Sequence, residues 1–101
     1  PRRILHGGVI SSVLHSTGGI TVSLGILKRA LREPVSNIES RLTRVGTIDL
    51  RVDYLRPGRG KCFVSTGTIM RTGRKVTVVR TEMKNDKDKL IAVGTGTYIV
   101  G

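Results

Sequence analysis

The chain has 101 residues, of which 38% are hydrophobic and only 3% aromatic, so aliphatic side chains must supply the core of what we expect to be a single domain. Its 18 Lys and Arg against 7 Asp and Glu give a net charge of +11, which favours an anionic partner or a solvated basic surface. The single cysteine excludes an internal disulfide and suits a reducing, cytoplasmic setting. The sequence contains no run of 18 apolar residues, so we predict no membrane span.

The first predicted element is a long helix from Val9 to Leu31, because its apolar residues recur near helical spacing. Three internal glycines, Gly18, Gly19 and Gly25, each lower the helix propensity by roughly 1 kcal/mol relative to alanine. Glycines kept inside a helix usually allow close packing against a neighbour. We therefore expect this helix to be buried on most sides.

A shorter second helix is predicted between Pro34 and Gly46. Pro34 suits a first helical turn, and Ser36-x-x-Glu39 has the spacing of a capping box. Arg41 is expected to point outward, and a partly ordered connection is the alternative because the apolar stripe is narrow. The stripe consists of Val35, Ile38 and Leu42.

After Gly46 the apolar residues alternate with polar ones, which predicts β-strands. Turn signals divide this region at residues 57–60, 72–74 and 85–88, and Asn85 is suited to the positive φ of the last turn. The predicted strands cover residues 47–56, 62–71, 76–79 and 90–100. Together with the long helix they predict an α+β domain, in which the helix lies across a four-stranded antiparallel meander.

Two further expectations concern packing. Gly94 and Gly96 are two residues apart in the last strand, so they share a face on which a helix can lie closely. Cys62 is expected to be a core residue, since nothing near it in the sequence indicates a reactive thiol.

The segment His6-Gly7-Gly8 precedes the long helix. Two glycines at a helix start leave backbone N–H groups uncovered, so a carbonyl or phosphate oxygen can approach them. The alternative is a tightly packed entry turn without a ligand. A helix start that can bind an oxyanion, next to a strand, is suited to acyl chemistry.

Four segments together resemble one family. They are His6-Gly7-Gly8, the strand sequence of residues 49–57, the hairpin Arg71-Thr72-Gly73-Arg74 and residues 92–97. The combination is similar to the hotdog-fold acyl-CoA thioesterases, in particular the phenylacetate-degradation type. The resemblance implies an α+β hotdog fold, in which a curled antiparallel sheet wraps a long central helix. It also implies a homodimer or a dimer of dimers, with each site between one helix start and the partner's strand.

The family usually has another strand before its His-Gly-Gly segment. The chain begins Pro1-Arg2-Arg3 without an initiator Met. We therefore expect residues 1–101 to form one hotdog domain that lacks an N-terminal strand or segment.

By the resemblance, a backbone amide of Gly7 or Gly8 would polarise the thioester carbonyl, and removing such a donor typically costs about 10²–10³ in rate. Nine residues after His6, where the family places an acidic base or nucleophile, this chain has His15. A neutral imidazole can activate water, although it cannot form an anhydride. The alternative for His15 is a tolerated polar residue in a site that has lost its chemistry. Thr47 would orient water, or is simply a good strand former.

Two carboxylates flank Arg51 on the strand that begins at Thr47, namely Asp49 and Asp53. Cross-strand ion pairs are the expected role of both. As carboxylates near the candidate site, they are also reserve candidates for the base.

The expected substrate-binding residues are His6, Arg56, Arg71, Gly73 and Arg74. The arginines belong to a basic group at the two turns on either side of the second strand, where they could bind the phosphates of coenzyme A. Gly73 would allow close approach of the ligand, and His6 either faces it or bonds to backbone. At least half of the basic group is expected to be merely solvated.

Coenzyme A would enter as part of the substrate, with no separate cofactor. No metal site is expected, because two histidines and one cysteine match no ligand spacing. The preferred hypothesis is an acyl-CoA thioesterase, and the alternative is a domain that binds acyl-CoA or an acyl ligand without hydrolysing it. A third hypothesis, a small basic nucleic-acid binder, is disfavoured because only three aromatic rings are available for base stacking.

Overall fold

The structure is a computed structural model that describes residues 4–32 and 38–100. It contains two helices and two antiparallel sheets, one of four strands and one of two. In chain order the elements are β1 (Ile4–Leu5), α1 (Gly7–Arg32), α2 (Ile38–Thr43), β2 (Gly46–Tyr54), β3 (Gly58–Arg59), β4 (Phe63–Thr72), β5 (Val76–Asn85) and β6 (Leu90–Ile99).

The long helix α1 confirms the helix predicted from the apolar spacing and adds the two glycines before it. Its buried residues recur every four positions, as expected for one face of a helix: Ile10, Leu14, Gly18 and Val22. The expectation of burial on most sides is wrong, because the sheet covers one face only. On the opposite face Ile20 is 60% exposed and Leu31 is 89% exposed.

By length and hydropathy α1 could also cross a membrane. Core helices of globular domains pass the same test, and the buried stripe of α1 packs against the sheet. The contacts therefore identify α1 as the core helix of this domain.

The four-stranded sheet has the order β2-β6-β5-β4. The predicted meander is therefore wrong at its first strand: β2 pairs with β6, the last strand, and not with β4. The register sets Leu50 opposite Gly96 and Val52 opposite Gly94. The order leaves β2 at one edge of the sheet and β4 at the other.

The region predicted as a turn at residues 57–60 contains the short strand β3, which pairs with β1. Gly58 is buried there, and a side chain at this position would meet Leu5 and the tip of Ile10. The contact ties the loop after β2 to the residues that lead into α1. It thereby fixes where the helix begins.

The last hairpin follows the predicted turn, although β5 is longer than expected and runs to Asn85. The residue with positive φ is Asp88, at 61°, and not Asn85. The Asn85 side chain stabilises the turn differently, since its Oδ1 accepts hydrogen bonds from the amides of Lys87 and Lys89, each at 3.0 Å.

The second helix is present as α2, a six-residue helix that begins at Ile38. The proposed start at Pro34, the Ser36 cap and Val35 of the stripe lie outside the described residues. Arg41 is half-buried where an outward orientation was expected.

The core lies between α1 and the sheet in two clusters. One consists of Ile10, Leu14, Met83, Ile91 and Ala92, and the other of Val22, Val79, Tyr98 and Val100. The close helix contact predicted for Gly94 does not require a glycine, because a Cβ there would lie at an ordinary 3.5 Å from Leu14 Cδ1 but only 2.5 Å from Thr81 Oγ1. Gly94 makes room for Thr81 on the neighbouring strand β5. Gly96 instead accommodates the Tyr98 ring. Cys62 is exposed, so its predicted core position is wrong.

Candidate active site

The start of α1 presents backbone donors. Ile10 N donates to His6 O at 3.1 Å, so His6 is the residue from which the helix begins, and its side chain is exposed. The amides in the first turn have no acceptor within the helix. The first turn contains no acidic residue, and the space beside Gly8 is open. An anionic oxygen can therefore approach the positive end of the helix dipole here.

Tyr54, the last residue of β2, fixes this helix start to the sheet. Its hydroxyl donates to Gly7 O at 2.9 Å, and its ring lies beside Gly7. Sequence reasoning did not single out Tyr54 as a site residue. The sequence shows that Tyr54 lies near the end of a strand that stops before Pro57. It does not show that the Tyr54 side chain contacts Gly7, 47 positions earlier in the chain.

The second part of the site joins α1 to the other end of β2. His15 Nε2 and Thr47 Oγ1 lie 2.6 Å apart, which is a short hydrogen bond between imidazole and hydroxyl. Both side chains are exposed. The structure thus brings together the two residues that sequence reasoning placed in catalytic roles, and Thr47 contacts the helix of its own chain.

A buried tyrosine lies behind this pair. The Tyr98 hydroxyl donates to His15 O at 3.1 Å, and the Tyr98 and His15 rings are stacked with centroids 6.3 Å apart. Burial raises the pKa of Tyr98, because desolvation disfavours the phenolate. Sequence reasoning counted Tyr98 only as an aromatic ring and missed this contact.

The two parts of the site are separate within one chain. His15 is seven residues after Gly8, which places the two about 10.5 Å apart along the helix axis. Thr47 and Tyr54 are separated by seven strand residues, or about 23 Å. One chain therefore does not place the helix-start amides and the His15–Thr47 pair around a single carbonyl group.

The carboxylates of β2 do not form the expected cross-strand pairs. Arg51 bonds to Asp53 on the same strand, with 3.4 Å between the guanidinium and carboxylate atoms. The residues opposite Asp49 and Asp53 on β6 are Thr97 and Val93, which carry no charge. Cross-strand pairing fails because the strand beside β2 is β6, whose residues Leu90–Ile99 include no charged side chain.

The basic group at the two turns is divided by the structure. Arg56 lies near the helix start and donates to Leu90 O at 2.9 Å, so part of its guanidinium anchors backbone. It lines a cleft of about 430 Å³ together with Gly7 and Tyr54. Arg71 lies near the other end of the sheet, opposite Val78 and through it Thr97, whereas the Arg56 amide bonds to Ile91 O, six residues or about 20 Å away along β6. One ligand phosphate cannot contact both groups of one chain.

The far end of the sheet has its own cleft, of about 480 Å³. Gly73 and Arg74 of the β4–β5 hairpin form one side of it, and the last turns of α1 form the other. The hairpin is tight, since Gly73 N donates to Val76 O at 2.7 Å. Basic residues on the rim of this cleft are Lys28, Arg29, Arg32, Arg41 and Arg74.

These features define a class of protein. A long helix packed on an antiparallel sheet, with amide donors at the helix start, is the architecture expected of the hotdog fold. A model of the thioesterase superfamily matches residues 3–92. The chain belongs to the thioesterase superfamily, and its hotdog fold confirms the resemblance at that level.

Particular relatives narrow the comparison. Over 98 residues the chain is 48% identical to the Escherichia coli medium/long-chain acyl-CoA thioesterase YigI. The matched region covers 97% of this chain and 63% of that protein. A Shewanella oneidensis protein related to the thioesterase superfamily is also 48% identical, with a TM-score of 0.86 over 97% of this chain and 64% of that one. The chain thus spans about 63% of the length of the curated relative.

A more distant structure shows the fold alone. It is a Bacillus halodurans protein crystallised with CoA, 22% identical, with a TM-score of 0.76 over 95% of this chain and 55% of that one. The narrower phenylacetate-degradation type stays a prediction.

Proposed function

We propose that this protein is an acyl-CoA thioesterase that hydrolyses its substrate with water at a site shared by two copies. The observation that carries the proposal is the 2.6 Å contact between His15 and Thr47, at the edge strand of the sheet. The 48% identity to an acyl-CoA thioesterase supports the substrate class.

The geometry of β2 supports a homodimer. Tyr54 holds the helix start at one end of β2, and Thr47 holds His15 at the other end. Antiparallel pairing of two β2 strands about a two-fold axis would bring the Tyr54 end of one copy beside the Thr47 end of the other. An axis perpendicular to the sheet keeps both α1 helices on the same face. Each of two sites would then combine amides from one copy with His15 and Thr47 from its partner.

In such a site the Gly7 or Gly8 amide donates to the thioester carbonyl oxygen and stabilises the oxyanion that forms there. His15 accepts the proton of the attacking water at a ring nitrogen. Thr47 fixes the orientation of the ring through its bond to Nε2. The tetrahedral intermediate then expels the thiolate of coenzyme A, which takes the proton back from the imidazolium.

The candidate substrate-binding residues lie in two groups, one at each end of the sheet. Arg71, Gly73 and Arg74 lie at the end of the sheet where β6 reaches Tyr98, opposite Thr47. They are therefore on the side of the His15–Thr47 pair and suit the phosphates. His6 and Arg56 lie beside the helix start and would contact the substrate from the other copy. We place the enzyme in the cytoplasm, where acyl-CoA occurs and the exposed Cys62 stays reduced.

The test is thiol release from a panel of acyl-CoA esters of increasing chain length. We expect turnover by the protein and a loss of about 10²–10⁴ in kcat for His15→Ala, the range for removal of a general base. The control is Thr66→Ala, because Thr66 is exposed on β4 and the proposed site does not include it. This variant should retain the full rate. Turnover that survives His15→Ala unchanged would disprove the role of His15.

A non-catalytic binding domain is the second candidate, because His15 occupies the position where the family has a carboxylate. His15→Asp separates the two. If the site lacks activity for want of a carboxylate, turnover appears only in the Asp variant. If His15 is the base, the unmodified protein is active and the Asp variant changes the pH dependence of the rate.

A further inference from the structure

We propose that Tyr98 is a positioning residue, which acts by holding His15 in the orientation that Thr47 requires. The inference rests on the proposed role of His15 as base. It concerns a residue that, as a buried core tyrosine, would ordinarily be assigned to stability alone.

Tyr98 contacts His15 at two points. Its hydroxyl donates to the His15 backbone oxygen at 3.1 Å, which holds that turn of α1 against β6. Its ring stacks on the imidazole, with 28° between the planes. The imidazole therefore has the Tyr98 ring on one side and the Thr47 hydroxyl at Nε2, and these contacts together restrict its rotamer.

The Tyr98 ring reaches this position only because two glycines leave room for it. A Cβ at Gly18, on α1, would overlap the Tyr98 hydroxyl and lie 2.9 Å from Cζ. A Cβ at Gly96, on β6, would lie 2.6 Å from Cε2. Tyr98 is only 2% exposed, so it cannot move aside into solvent. Two glycines on different elements thus place one ring directly behind the candidate base.

A purely structural role for Tyr98 predicts different results. Tyr98 also packs with Val22 and Val79, so its removal must lower the stability of the fold in either case. Positioning predicts in addition that the environment of His15 changes and that kcat falls while KM does not, because Tyr98 does not touch the substrate. These two readouts separate the roles.

The first experiment compares Tyr98→Phe and Tyr98→Leu in the purified, isotopically labelled protein, with NMR of the His15 ring and acyl-CoA kinetics. Tyr98→Leu removes the stacked ring, so the His15 ring protons should lose their ring-current shift and kcat should fall by roughly tenfold to 10²-fold at constant KM. Tyr98→Phe keeps the ring and removes the hydroxyl, so it should retain the shift and lose less activity. If Tyr98→Leu does not fold, Tyr98→Phe still allows the NMR and kinetic measurements to be made.

The second experiment uses a matched glycine pair on α1. Gly18→Ala places a methyl group against the Tyr98 hydroxyl, whereas Gly19→Ala places it in open space. Both changes raise helix propensity equally. Gly18→Ala should therefore move the His15 signals and lower kcat, and Gly19→Ala should do neither.

Unchanged His15 signals in Tyr98→Leu and Gly18→Ala, or a fall in activity that appears only as a raised KM, would overturn the positioning role. If the unmodified protein hydrolyses no acyl-CoA, the proposed function fails. The NMR comparison still decides whether Tyr98 holds His15, because it does not depend on turnover.

Discussion

His15 and Thr47 are 32 positions apart in the chain, yet their side chains share one hydrogen bond. A hydrogen bond between neutral groups contributes about 1 kcal/mol, and in the proposed site this bond orients a reacting group. The value of Thr47 in the proposed site therefore lies in the orientation of the imidazole. Thr47 itself contributes little to the stability of the fold, because it is an exposed residue of β2.

Replacement of Thr47 tests this bond directly. Thr47→Val keeps the β-branched shape that suits a strand but removes the hydroxyl, so kcat should fall by roughly fivefold, the equivalent of about 1 kcal/mol. Thr47→Ser keeps the hydroxyl and should remain close to the original rate. Thiol release at saturating acyl-CoA gives the comparison, and a valine variant as fast as the serine variant would show that the bond has no catalytic role.

At the scale of elements, the β5–β6 hairpin is connected to the loop before β4 by one carboxylate. Asp86 Oδ1 accepts a hydrogen bond from Lys61 N at 2.8 Å, and this bond holds the pKa of Asp86 below its ordinary value of 3.8. A carboxylate with a lowered pKa stabilises the folded state at pH values above 3.8. That stabilisation is lost as the pH falls through the lowered pKa, since the unfolded chain binds the proton first.

We therefore expect Asp86→Asn to change how the free energy of unfolding depends on pH. The asparagine can still accept from Lys61 but carries no charge, so the variant should lose less stability than the original protein between about pH 5 and pH 2. Denaturant unfolding at a series of pH values measures this difference. Asp49→Asn, at an exposed position of β2, is the control. The same pH dependence of the unfolding free energy in all three proteins would contradict the role of Asp86.

At the scale of the whole molecule, the edge strand β2 separates the two parts of the proposed site by its own length. The helix start lies at the Tyr54 end and His15 at the Thr47 end. A site that needs both within reach of one carbonyl requires a second copy. In this proposal a complete site forms only when two copies pair, so catalysis requires dimerisation.

Mixing two inactive variants tests that arrangement. His15→Ala removes the base, and whichever of Gly7→Pro and Gly8→Pro abolishes turnover removes the oxyanion donor, because proline has no N–H and is tolerated in a first helical turn. Equal mixtures refolded together should recover roughly a quarter of the original activity, since half of the dimers carry one intact site of two. Each variant alone should stay inactive, and a mixture without recovery would exclude a shared site.

Much of the fold could be predicted because the signals are local. The apolar spacing in residues 9–31 predicts α1, and period-two alternation with Gly, Pro and Asn turns predicts the later strands. Four short segments in combination, among them His6-Gly7-Gly8 and the hairpin at Gly73, carried the thioesterase resemblance, which the family match confirms. Strand order could not be predicted in this way, because the paired residues of β2 and β6 are 38 to 53 positions apart, from Tyr54–Ala92 to Gly46–Ile99, and pairing with β4 would satisfy the same alternation.

The sequence by itself determined that α1 is a helix and that the region after Gly46 forms strands, where the helix-start amides lie and to which superfamily the chain belongs. Only the tertiary structure decided that β2 joins β6, that Thr47 meets His15 and that Tyr98 fits between Gly18 and Gly96. The reason is physical: periodicity and turn chemistry depend on neighbouring residues, whereas a contact between distant segments depends on which surfaces fit together once the chain has folded.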